Sequence, residues 1–162
     1  MSFHCRQFRE LVVRPTLCGL MSWSTEAENC LIMTMAWESN GGEWLKQEGN
    51  GPAYGVYQLE EGTFKDIWER YLTDKPSLID RIFDVCNLNH APQAADMAGN
   101  LYLATAIARI FYLRVHEPIP QDITKLSEYV KKFWNSEAGK AKATDYEAAY
   151  LRFNGLPSRP AI

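Results

Sequence analysis

The run Cys30-Leu31-Ile32-Met33-Thr34-Met35-Ala36-Trp37 contains no charged residue, and Thr25-Glu26-Ala27-Glu28 lies a few residues before it. The hydroxyl at the first position of that quartet and the carboxylate three residues later form a capping box, which opens a helix. A helix without a polar face has to be buried on every side. The run therefore belongs at the centre of the molecule, and the rest of the chain must supply amphipathic elements around it. With 162 residues, 46% of them apolar, there is material for one such core and one domain, 1–162.

The remaining signals are mostly helical. Phe8, Leu11 and Val12 share a helical face within 5–14, and Pro15 is expected to end or kink that segment. Thr63 is placed to cap a helix carrying Phe64, Ile67, Trp68 and Tyr71, and Pro76 to open another through Leu78, Ile79, Ile82 and Phe83. Residues 91–116 read as a short Ala-rich helix and a longer apolar one, separated at Gly99. Leu126, Tyr129, Val130 and Phe133 mark the inner face of a helix over 122–135, and Thr144-Asp145-Tyr146-Glu147 caps a last one ending near Phe153. Only 40–60 departs from this pattern. Gly41-Gly42 stops the central helix, and Gly49-Asn50-Gly51-Pro52-Ala53-Tyr54-Gly55 leads into Val56-Tyr57-Gln58-Leu59, which has short strand or hairpin character. The predicted class is mainly α, one compact domain with a small irregular or short β lobe near 40–60.

Several function classes lose support at once. Seventeen basic residues against twenty acidic ones leave a net charge of −3, which gives no footing to a nucleic-acid binder. No apolar run reaches the roughly 18–20 residues of a membrane span. Arg6, Arg9, Glu10 and Arg14 interrupt the first twenty residues, so no signal peptide is expected. Cys5, Cys18, Cys30 and Cys86 form no C-x-x-C pair, and His4, His90 and His116 are scattered. Neither a metal site nor a disulfide is expected, and Cys30 reads as a buried thiol.

The residue that breaks the pattern is Glu38, at the C-terminal end of the apolar run. Burial against Trp37 and the negative end of the helix dipole both disfavour its charged form. A carboxyl kept protonated near neutral pH is what a general acid needs to protonate a departing glycosidic oxygen. The bland alternative is a solvated helix terminus beside Ser39-Asn40-Gly41-Gly42.

Glu38-Ser39 after an apolar helix, followed by Ala53-Tyr54-Gly55-Val56-Tyr57-Gln58-Leu59, resembles the pattern of soluble lytic transglycosylases and goose-type lysozymes. Asn100-Leu101 and the helix to Leu113 are similar to a later block of that family, and Ala148-Ala149-Tyr150 through Asn154-Gly155 to its terminal motif. The closer likeness is to small bacteriophage proteins with this lysozyme-like core. It is carried by Phe8-Arg9-Glu10-Leu11-Val12-Val13-Arg14-Pro15-Thr16-Leu17, by Gly51 to Gln58, and by Lys132-Phe133-Trp134-Asn135 with Gly139-Lys140, and it covers about residues 5–155.

The resemblance implies a lysozyme-like fold with Glu38 as general acid, and in the transglycosylases also as the base that follows. Ser39 would hold Glu38 or touch substrate, and Gly55 and Gln58 would line the sugar cleft. Tyr54 and Tyr57 would stack on pyranose faces or pack in the interior, and Tyr112 would lie near the cleft or in the core. Tyr150 and Asn154 belong to the terminal motif, where the family's Tyr-Asn pair reads Phe153-Asn154 here. Pro52 stands where the family usually has Gly. Trp23, Trp44 and Trp68 are further aromatics that either meet sugar or fill the core.

The implied activity is cleavage of the β-1,4 bond between N-acetylmuramic acid and N-acetylglucosamine in peptidoglycan glycan strands, without cofactor. An inverting hydrolase needs a second carboxylate about 6.5–9.5 Å from the first. Glu43 leads the candidates, ahead of Glu48, Glu60 and Glu61. With one acid alone, the sugar's own 6-hydroxyl is the nucleophile. Lacking an export signal, the protein is expected in the host cytoplasm as an endolysin or in the virion beside other virion proteins, acting on the host wall. Its negative charge, with no separate wall-binding domain, favours the virion. The competing reading is a virion structural or assembly protein that keeps the fold without the activity. A chitinase-like hydrolase is a third.

Overall fold

In the computed structural model residues 1–136 and 138–155 are described. The central helix, α2 (Thr25–Glu38), is buried without interruption from Cys30 to Ala36. Its shell consists of α1 (5–19), α5 (Leu101–Leu113), α6 (123–135) and α7 (Ala143–Phe153), all packed on α2. A further layer, α3 (61–71) and α4 (Pro76–Cys86), packs on α5 and α1, with a 3₁₀ turn at Ala94–Ala98 between α4 and α5. The expected mainly α architecture with a minor β lobe is what the chain adopts. Each fully buried Leu31 or Ile32 side chain contributes roughly 1.5–3 kcal/mol through removal from water.

Local chemistry sets the helix ends, sometimes one residue from the expected place. Ser24, not Thr25, caps α2: its Oγ accepts from Ala27 N at 3.0 Å. Glu28 is thereby released from the cap. Its carboxylate takes a bidentate pair from Arg14 at 2.9 Å each, Arg9 Nη1 at 3.1 Å and Trp23 Nε1 at 2.7 Å. These bonds tie α1 to α2. Pro15 neither ends nor breaks α1, which runs on to Gly19. A π-helical turn at Arg9–Val13 precedes the proline and accommodates a residue that cannot donate a backbone hydrogen bond. Likewise α3 begins at Glu61 with Glu60 as its N-cap, leaving Thr63 inside the helix. The last helix begins at Ala143, and Asp145 accepts from Lys142 N at 2.8 Å.

The small lobe is a two-stranded antiparallel hairpin, β1 (Ala53–Tyr54) and β2 (Leu59–Glu60), with Ala53 opposite Glu60 and Tyr54 opposite Leu59. The hairpin character expected here is what forms: residues 55–58 are its turn, and only Leu59 of Val56–Leu59 is strand. Two left-handed residues build that turn, Gly55 (φ +78°) and Gln58 (φ +50°). At Gly55 a Cβ would also stand 2.9 Å from Met97 O, so the position requires glycine twice over.

Candidate active site

Helix α2 delivers Glu38 to the edge of a cleft of about 310 Å³, lined also by Gln58, Leu59, Glu60, Thr63, Phe111, Trp134 and Asn135. The chain reverses immediately after it, through Asn40, Gly41 and Gly42, all at positive φ. Glu38 is half-buried, and its Oε1 accepts a 2.5 Å hydrogen bond from the hydroxyl of Tyr146 on α7. Burial raises the proton affinity of the carboxyl, and the Tyr146 bond lowers it; burial is the stronger, so the group holds its proton above the usual carboxylate range. Trp37 is 39% exposed and packs its ring on Tyr146 at 6.0 Å.

Gln58 lines the same cleft. Its Nε2 donates to Gly55 O at 2.9 Å, and no donor among the described residues meets its Oε1. The amide oxygen is thus the end available to a ligand N–H. A glutamine held at positive φ stores strain that the surrounding turn must offset, which is common at binding sites. The third wall is aromatic: Trp134 packs on Phe111 at 4.7 Å and stacks on Tyr112 at 5.5 Å. A carboxyl, an amide and an indole thus line one open groove, together with the Glu60 carboxylate.

Other expected site residues lie elsewhere. Ser39 is fully buried; its Oγ donates to Met35 O and accepts from Gly42 N, so it closes the helix end and does not touch the Glu38 carboxyl. Gly55 is buried against Met97 and Ala104 and shapes the hairpin. Tyr57, 1% exposed, bonds Thr105 Oγ1 at 3.0 Å, and Tyr112, 2% exposed, bonds Thr34 Oγ1 at 2.8 Å; both are core. Tyr54 carries Lys46 Nζ 4.3 Å above its ring on the hairpin. Tyr150 donates to Asn29 Oδ1, and Asn154 Oδ1 accepts from Arg9 and Cys5, so both belong to the α1–α2 clamp. A network that must satisfy the buried ends of Arg9 and Asn29 holds them there.

Glu43 does not face Glu38 across the cleft. It pairs with the Met1 amine at 2.9 Å, accepts from Asn40, and lines a different groove with Met1, Ser2 and Arg152. The bonds from Asn40 and the amine hold its carboxyl low. The carboxylate that shares the cleft with Glu38 is Glu60. Sequence reasoning missed Tyr146, Asn135 and Trp134 as site residues. One signal for Tyr146 was available: it is a phenol on the inner face of a helix, and a buried hydroxyl needs a partner.

No family model matches this chain, and no curated protein or solved structure is significantly similar to it. Among the described residues no helix is long and apolar enough to cross a membrane.

Proposed function

We propose that the protein is a peptidoglycan glycosidase of bacteriophage, cleaving the β-1,4 bond after N-acetylmuramic acid with Glu38 as general acid. The observation that carries this reading is a half-buried carboxyl at the end of the central helix, held by the Tyr146 hydroxyl and lining the same groove as Gln58; burial raises its proton affinity. The sequence resemblance supports the substrate class, and the phage origin rests on it alone. As C1–O cleaves, the Glu38 proton passes to the departing oxygen, and Gln58 Oε1 accepts the N–H of an acetamido group. With Glu38 as the only acid, the C6 hydroxyl of the muramyl unit attacks C1 and returns its proton to Glu38, giving a 1,6-anhydro sugar. The presence of Glu60 in the same groove favours a second route, in which Glu60 takes a proton from attacking water.

Digestion of purified peptidoglycan, with products read by mass spectrometry, separates these readings. Muropeptides one water lighter than hydrolysis products, absent with Glu38→Gln, identify a lytic transglycosylase. Reducing, non-anhydro products that disappear with Glu60→Gln identify a hydrolase. No product from the wild type overturns the enzymatic reading in favour of a virion structural protein.

A further inference from the structure

Helix α5 carries one charged residue, Arg109, set between the buried Ala108 and Ile110. A cation on so apolar a helix is costly to hold unless an acid partners it. Arg9 and Arg14 share Glu28, and Arg114 pairs with Asp66 at 3.2 Å. Arg109, by contrast, has no ion pair among the described residues, and its one hydrogen bond runs from Nε to Ser22 O at 3.0 Å, in the turn between α1 and α2. Its two terminal nitrogens meet no acceptor among the described residues, yet they are not sealed from solvent: the single buried side-chain nitrogen or oxygen without a partner there is Arg114 Nη1. Burial disfavours the Arg109 charge, and an anion set against the guanidinium would favour it.

Arg109 lines a groove of about 400 Å³ that shares no residue with the Glu38 cleft. Leu113, Val115, Pro118, Ile119 and the Tyr129 ring give it an apolar wall. The loop that carries most of them is tied down: the Tyr129 hydroxyl donates to Glu117 O at 3.3 Å, and Lys132 Nζ pairs with the Glu117 carboxylate at 3.0 Å. Glu117 and Glu26 are the carboxylates of the lining, and neither pairs with Arg109. We propose that this groove binds a monocarboxylate with a small apolar body, its two oxygens on the Arg109 Nη atoms and its hydrocarbon against Val115 and Ile119. The planar guanidinium fork matches a carboxylate, and only its Nε is already committed. Glu26 and Glu117 set a limit on the charge of the ligand, because like charges in one groove disfavour a dianion such as phosphate. The site stands apart from the proposed glycosidase reaction and takes no part in it.

Two sources offer this chemistry, the C-terminal carboxylate of a peptide and a free short-chain acid, and titration of the full chain distinguishes them. N-acetyl-dialanine, hexanoate and inorganic phosphate are each added at neutral pH and constant ionic strength, while the Arg109 Nε and backbone signals are followed by ¹⁵N NMR. Saturable shifts at Arg109 Nε, Val115 and Ile119 are expected with hexanoate or the peptide, and none with phosphate; the tighter of the two carboxylates identifies the source. Arg109→Gln is expected to weaken binding about tenfold or more, the loss of hydrogen bonds to a charged group. His116→Glu, at an exposed position of the lining, is expected to weaken it through like charge with the fold unchanged, and it decides the matter if Arg109→Gln does not fold. Glu38→Gln is expected to bind the probes as the wild type does, so the result is read without reference to the reaction in the other cleft. Shifts that never saturate, affinity unchanged in Arg109→Gln or His116→Glu, or phosphate bound as tightly as the carboxylates overturns the proposal.

Discussion

In the proposed reaction two side chains, Glu38 and Tyr146, set the chemistry of the cleft, and each leaves a measurable trace. Because the Tyr146 hydroxyl favours ionised Glu38, Tyr146→Phe raises the proton affinity of Glu38 further. The alkaline limb of the pH–rate profile should move to higher pH, and the plateau should fall as the acid loses its fixed orientation. Glu38 also leaves a mark on stability. Its folded-state pKa lies above that of the unfolded chain, so its contribution is fully present below the ordinary carboxylate range and is lost as pH rises through its own raised value. Glu38→Gln, which cannot ionise, should therefore melt higher than the wild type at neutral pH, and the gap should close on acidification. A lower melting temperature at pH 7 would mean that the Tyr146 bond outweighs burial.

Elements are joined by a few polar clamps, of which Glu28 is the clearest. Burial alone would raise its carboxyl; the bonds from Arg14, Trp23 and Arg9 outweigh this and hold it below its usual range. Such a group stabilises the fold above the ordinary carboxylate range, and the contribution is lost as pH falls through its lowered value. Glu28→Gln strips the charge while both arginines stay in place, and it should cost about 3 kcal/mol in urea unfolding, the lower end for breaking a buried pair. The hairpin depends on backbone instead. Gly55→Ala must place a side chain at φ +78° against Met97 O, which should cost about 1–2 kcal/mol and weaken substrate binding by displacing Gln58. Matched activity in Gly55→Ala and the wild type would show that the turn tolerates the change.

At the scale of the whole molecule, the core is organised around one helix on which four others pack, with a further layer outside them. Leu31→Ala or Ile32→Ala opens a cavity between α2 and its neighbours and should cost about 2–5 kcal/mol, with a single cooperative unfolding transition retained. A two-step transition would mean that the hairpin lobe and the helices unfold separately. The same helix connects packing to function: its length, set by Ser24 at one end and the left-handed Asn40-Gly41-Gly42 at the other, places Glu38 at the cleft edge.

Much of this was written locally. An uncharged run with a hydroxyl ahead of it and paired glycines behind it determines a buried central helix, because burial is the only way to remove that much apolar surface from water. The same residues marked Glu38 as the anomaly, the family resemblance pointed to Gln58, and the structure places both on one cleft. What surrounds them was decided by tertiary packing. Tyr57, Tyr112, Tyr150 and Asn154 carry groups that suit a sugar site, yet their hydroxyls and amide are taken by Thr105, Thr34, Asn29 and Arg9. The sequence put Glu43 ahead of Glu60 as a second carboxylate, yet the course of the chain after Ser39 sends Glu43 to Met1 and leaves Glu60 on the cleft. Tyr146 is 108 residues from Glu38 and shares no motif with it. Their bond exists because α7 lies on α2, and such a partner is set by the packing of two helices, which no local spacing encodes.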